Sequence, residues 1–260
     1  MQKMPVIFVG HGSPMNALQN NKATQGLENL GKFLRQKFAP KAILGISAHY
    51  ASDGLFINDS KNLRQIYDMY GFPRELYEIE YHVSGSPEIA HVSANVLSDF
   101  NIKIDNSWGL DHGLWSVLLR IYPHANIPVV PLSIDMSKDL AWHFALGRAL
   151  QPLREQGVLI MASGNIVHNL SLLAWEKENF GYEWAIEFDK KIKTSVLNRD
   201  FESVLNYQKF RGSDKSFFTL EHFIPLIYAL GSSLQGDKIK VFNEIYNYGA
   251  ISMTSYIFGG

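Results

Sequence analysis

Four short apolar runs, at positions 5–10, 41–49, 127–134 and 157–163, are each bounded by glycine, proline or polar turn residues. Runs of this length, rich in valine and isoleucine, predict strands buried on both faces. Between and after them the period changes to that of an amphipathic helix. "TQGLENLGKFLRQKF" puts Leu27, Leu30, Phe33 and Leu34 on one face, and "SPEIAHVSANVLSDF" offers Ser86 as N-cap with Pro87 in the first turn. A third helix is predicted to begin near Ser137 and to carry Leu140, Phe144 and Leu150. Strands alternating with helices predict an α/β fold: one domain over residues 1–260, with a mostly parallel central sheet and helices on both faces, a three-layer α/β/α arrangement.

In such sheets ligands bind beyond the carboxyl ends of the strands. Two of the predicted strands finish alike, "VIFVGHGSP" with His11 and "AILGISAHY" with His49, and "GVLIMASGNIVHNL" ends a third shortly before His168. The pattern thus brings imidazoles from three strands to one edge. The glycines around His11 allow close backbone approach, and a shared strand-end histidine has no evident packing purpose. The pair His11 and His49 therefore points to a metal ion held between them. The least regular stretch, residues 50–86, is rich in aromatic side chains (Tyr67, Tyr70, Phe72, Tyr77 and Tyr81) and reads either as a lid or wall over the site or as a satellite core.

Composition narrows the chemistry. The 46% of apolar residues suffices for a core, and the net charge of −1 gives no reason to expect a nucleic acid or an anionic membrane surface as partner. Cysteine is absent, so thiolate chemistry, disulfides and Cys-rich zinc sites are excluded, and a metal must rest on His, Asp or Glu. The opening residues lack a signal-peptide pattern and the later apolar runs are too short to span a bilayer, which predicts a soluble, cytoplasmic protein.

Of the nine histidines, His82, His91, His124 and His143 read as structural or solvated. His112 lies in "WGLDHGLWSVLLRIY", where Gly109 and Gly113 flank an Asp–His pair and Asp111 is a candidate helix cap. His222 follows Glu221 at the start of an apolar helix.

Together "GHGSPMNAL", "SAHY", "YGFPRELYEIEY", "WGLDHGLWSVL", "ASGNIVHNL" and "EHFIPLIYALG" resemble, in order and over nearly the whole chain, the class III extradiol ring-cleavage dioxygenases, most closely the 4,5-DOPA-extradiol dioxygenase-like group. The resemblance implies an oxidoreductase that cleaves a small aromatic diol, such as DOPA, with O2 beside its hydroxyls. It implies one divalent metal per chain on His11, His49 and a third ligand at Glu221 or His222. The wider family uses a glutamate there; the DOPA-type group looks to use histidine, which selects His222. An all-imidazole set suits zinc as found and iron(II) for turnover. His168 matches the family's acid–base histidine and is also a candidate fourth ligand. His112 would hydrogen-bond a substrate or oxygen atom, with Asp111 orienting its ring. The rival readings are a zinc hydrolase, for which the usual "HExxH" pattern is missing, and a non-catalytic binding protein of the same fold.

Overall fold

The computed structural model describes residues 2–259. Successive residues of β1 (Val6–Gly10) and β6 (Val158–Gly164) point to opposite faces. Val6, Phe8, Val158, Ile160 and Ala162 enter one buried cluster, and Ile7, Val9, Leu159 and Met161 enter another. Strands apolar on both sides need cover on both sides.

The remaining sheet strands are β2 (Ala42–Ser52), β3 (Phe56–Ile57), β4 (Lys103–Ile104), β5 (Val129–Asp135), β7 (Ile239–Phe242) and β10 (Ser255–Phe258). With β1 and β6 they form one eight-stranded sheet in the order β4-β3-β5-β2-β6-β1-β10-β7. A separate ribbon pairs β8 (Tyr246–Asn247) with β9 (Ile251–Ser252). The four predicted strands are the central ones, β5, β2, β6 and β1, and they run parallel. Antiparallel neighbours flank them: β3 beside β5, and β10 between β1 and β7.

The helices are α1 (Lys22–Lys37), α2 (Arg74–Tyr77), α3 (Pro87–Val96), α4 (His112–Ile121), α5 (Leu140–Ala149), α6 (Glu183–Leu197), α7 (Phe201–Leu205), α8 (Ser213–Ser216) and α9 (Ile224–Ser232). Leu27, Leu30 and Leu34 of α1 and Leu114, Val117 and Ile121 of α4 cover one face of the sheet. Leu146 of α5, Phe188 and Ile192 of α6 and Leu226 of α9 cover the other, which completes the three layers. α1 opens on a capping box in which Asn21 and Thr24 satisfy each other's backbone donors. Ser86 caps α3 with Pro87 next to it, as the sequence predicts. α5 starts later than predicted: Asp139 accepts from the Trp142 N–H and caps it, whereas Ser137 turns back to donate to Asp135.

Residues 58–73 carry a strap without a long helix or strand. Tyr67 of the strap packs edge-on against Trp115, and beyond α2 the Tyr81 hydroxyl donates to the Tyr122 carbonyl at 2.9 Å. Tyr70 points outward, 92% exposed. Among the described residues no helix is long and apolar enough to cross a membrane.

Candidate metal centre

β1 delivers His11 directly. The His11 N–H donates to the Gly164 carbonyl at 3.1 Å, continuing the parallel ladder with β6 one residue past the strand. Its ring is buried, and Nδ1 lies 3.0 Å from Ser163 Oγ. Ser163 donates its one hydroxyl proton to the Gly113 carbonyl, so it accepts from His11 Nδ1–H. His11 Nε2 is left with a bare lone pair.

His49 is not at the end of its strand. β2 runs on to Ser52, and its register with β5 breaks between Ile46, opposite Leu132, and Ala51, opposite Ile134. Pairing with β6 ends at Ser47. The break is a bulge, and bulges re-aim side chains beside functional sites. It turns His49 Nε2 to within 3.2 Å of His11 Nε2. On the far side of the ring, His49 Nδ1 lies 3.3 Å from Asp68 Oδ2, an ion-pair contact in which the carboxylate charge favours a proton on Nδ1. The start of α4 presses against the bulge. A Cβ at Gly113 would lie 2.6 Å from Ser47 Oγ and 2.9 Å from His49 Cδ2, so this position has room only for glycine.

His222 ends a single 3-10 turn, Leu220–His222, just before α9. Its Nδ1 lies 3.1 Å from Glu221 Oε1, and its buried Nε2 has no hydrogen-bond partner. His222 therefore enters the cluster while the Glu221 carboxylate stands behind it. Asn165 ties this turn to β1: its N–H donates to the His222 carbonyl at 2.8 Å, and its Oδ1 accepts from the Gly12 N–H at 3.3 Å.

One ligand atom from each of His11, His49 and His222 lies within 4.8 Å of the others. His11 and His222 have Nδ1 hydrogen-bonded to an oxygen, His49 has Nδ1 beside the Asp68 carboxylate, and all three turn Nε2 inward, the usual way a protein fixes histidine for a metal. The orphaned His222 Nε2 would be costly if nothing bound it. Burial, and the neighbouring imidazoles, hold His11 and His222 well below the usual histidine range. Burial and His112 lower His49 to about 3 against the opposing pull of Asp68. Neutral nitrogens are what a metal needs, so the donor set fits a divalent ion.

His168 stands outside this triad. Its ring stacks on His222 with centroids 3.5 Å apart and planes 6° from parallel, and burial lowers its pKa to about 4. His112 sits beside His49, centroids 3.9 Å apart. The carboxylate that orients it is Asp68, not Asp111. His112 Nδ1 lies 3.0 Å from Asp68 Oδ2, whereas Asp111 accepts from Ser47, Trp108 Nε1 and the Leu114 N–H. Asp111 is the helix cap the sequence suggests, and burial raises its pKa to about 6. Asp68 is held below the usual carboxylate range: burial pushes it up, but bonds and charge from His112 and His49 outweigh that. His82, His91 and His124 are exposed, and His143 is buried against the Tyr228 hydroxyl.

Sequence reasoning missed Asp68, Ser163 and the bulge in β2. A carboxylate between two tyrosines in an otherwise aromatic stretch was the available sign for Asp68. Nothing in the local pattern of β2 marks the bulge.

A three-layer α/β/α fold thus carries, at the carboxyl ends of its central strands, an imidazole cluster that could hold a metal ion. The profile of the family described as the catalytic LigB subunit of aromatic ring-opening dioxygenase matches residues 4–259, and the chain belongs to that family. Among its relatives, the 4,5-DOPA dioxygenase extradiol of Escherichia coli (strain K12) is 38% identical over 99% of this chain and 95% of its own length. The protein of the same name from Beta vulgaris is 36% identical over 96% of this chain and 95% of its own. The crystal structure of an uncharacterized protein from Escherichia coli K12 superposes with a TM-score of 0.86 at 36% identity, covering 99% of this chain and 100% of that one.

Proposed function

We propose that this protein is an extradiol dioxygenase acting on a small catechol, DOPA or a close relative, which it opens beside the two hydroxyls with insertion of both atoms of O2. The observation that carries the reading is the convergence of three imidazole Nε2 lone pairs, each with an oxygen beside its Nδ1. His11, His49 and His222 would hold one divalent ion. An iron(II) ion held there would supply Lewis acidity and the redox capacity that zinc, which suits the same nitrogens, lacks.

The remaining histidines handle protons and position the substrate. Burial keeps His168 neutral near pH 7, so it can accept a proton from a catechol hydroxyl and return it later. We assign it that role in preference to a fourth ligand because its ring lies flat on His222 and outside the nitrogen triad. His112, its Nδ1 held by Asp68, offers Nε2 to a substrate or oxygen atom.

The test is anaerobic loading of the whole chain with iron(II), followed by a panel of catechols with oxygen uptake and the yellow ring-opened product as readouts. Uptake that requires iron(II) and a free vicinal diol supports the reading. Iron-loaded protein that consumes no oxygen with any catechol overturns it.

A further inference from the structure

We propose that Asp68 is a shared positioning residue: one carboxylate oxygen accepts the Nδ1 proton of His112 and, by its charge beside His49 Nδ1, keeps the proton of that ring on the same side, and so sets the ligand nitrogen of one ring and the substrate-facing nitrogen of the other. This deepens the metal-site reading and rests on it.

The strap brings Asp68 to this place without its help. Leu110 N–H donates to the Arg64 carbonyl at 2.8 Å, Ile66 N–H to the Leu110 carbonyl at 2.9 Å, and Trp115 Nε1–H to the Ile66 carbonyl at 3.0 Å. The approach is close enough that a Cβ on Gly109 would lie 2.0 Å from the Arg64 carbonyl oxygen. Asp68 follows two residues after this docked stretch, with its side chain only 10% exposed.

Its two oxygens then divide the work. Oδ1 accepts the His112 backbone N–H at 2.8 Å. Oδ2 accepts from His112 Nδ1 at 3.0 Å and faces His49 Nδ1 at 3.3 Å. A carboxylate presents only acceptors, so His112 carries its proton on Nδ1, and the same oxygen's charge beside His49 Nδ1 favours that tautomer for His49, with Nε2 exposed on both. Among the ring partners the structure gives, Asp68 is the sole acceptor for either Nδ1. The neighbouring Asp111 cannot substitute, since Ser47, Trp108 and the Leu114 N–H occupy it. Without Asp68 the His49 proton is free to move to Nε2, where it blocks ligation. Asparagine keeps the shape but sets an NH2 group against either the His112 N–H or the two Nδ1–H groups. An aspartate holding a histidine in one tautomer is how hydrolytic triads keep theirs competent.

The experiment uses the whole chain and zinc(II), whose binding needs no turnover. Competition with a chelator measures affinity, and ¹⁵N spectra of the histidine rings report which nitrogen is protonated. Asp68→Asn is expected to lower zinc affinity by about 10–100-fold, the usual cost of removing a ligand's hydrogen-bond partner, and to erase the Nδ1–H form of His49 and His112. His112→Gln, which keeps Asp68 beside His49 Nδ1 through the backbone N–H of residue 112, is expected to hold zinc markedly more tightly than Asp68→Asn does. Unchanged affinity and ring spectra in Asp68→Asn overturn the proposal. If that variant does not fold, the wild-type spectra decide, since an unprotonated Nδ1 on His49 is equally fatal. Failure of catechol turnover with these zinc results intact would count against the proposed reaction and not against the role of Asp68.

Discussion

At the scale of single residues, the site is a set of rings whose outer nitrogens are fixed and whose inner nitrogens converge. Glu221 and His222 show how fine the choice is: adjacent in sequence, one enters the cluster and the other backs it. His222→Ala is expected to lose the metal, while Glu221→Gln keeps most of it, read by elemental analysis of the purified variants. The reverse pattern would make Glu221 the ligand. Gly113→Ala places a methyl group 2.6 Å from Ser47 Oγ and 2.9 Å from His49 Cδ2, so it should displace that ring, weaken metal retention and lower the melting temperature as overpacking does. His168→Gln should keep iron and bind catechol yet turn over about 10²–10⁴-fold more slowly, the usual worth of a general acid–base group. Loss of the metal from that variant would instead make His168 a ligand. His11, His49 and His168 were legible from their places after apolar runs. His222 came from the family resemblance, because an Glu–His pair opening a helix is ambiguous without knowing which way the turn faces.

At the scale of elements, strand positions follow from the apolar runs, and deviations arise where a few residues leave the pattern. β2 reads as ending near His49 because polarity rises there; it continues to Ser52 after a bulge. The antiparallel strands β10 and β7, which carry the sheet from β1 to its edge, were not legible, since they lie in a carboxyl-terminal region without a clear alternation. A different device holds the ends of the elements together. Arg154, in the turn after α5, is buried and donates to the Met4 and Ser232 carbonyls and to both oxygens of Asp237. It thereby joins the start of the chain, the end of α9 and the loop before β7. Burial pushes the Asp237 carboxyl up, but hydrogen bonds from Arg154 and the Leu234 N–H, with the charge of Arg154, hold it below the usual range. The folded value lies below the unfolded one, so this pair contributes stability above the ordinary carboxylate pKa and loses it as pH falls through the folded value. Asp237→Asn should cost about 3–5 kcal/mol at neutral pH, the range for breaking a buried pair. The gap to wild type should close as pH drops below about 4, measured by denaturant unfolding across pH. A gap that stays constant down to acid pH would contradict this.

At the scale of the whole molecule, the parallel order β5-β2-β6-β1 places the carboxyl ends of three histidine-bearing segments on one edge, and the turn leading into α9, which packs on β6, adds the fourth from a distant part of the chain. The fold class was legible because alternation of strand and helix leaves few topologies. The closing of the site was not, because Asp68 reaches it on a strap whose docking depends on backbone bonds to residues 110 and 115, far away in sequence. The central claim is that this edge opens an aromatic ring with dioxygen. Its most direct test is the mass of the product formed from a catechol by the iron(II)-loaded protein under ¹⁸O2. A ring-opened product carrying two heavy oxygen atoms is the predicted result. A quinone, or a product without label from the gas, would contradict it.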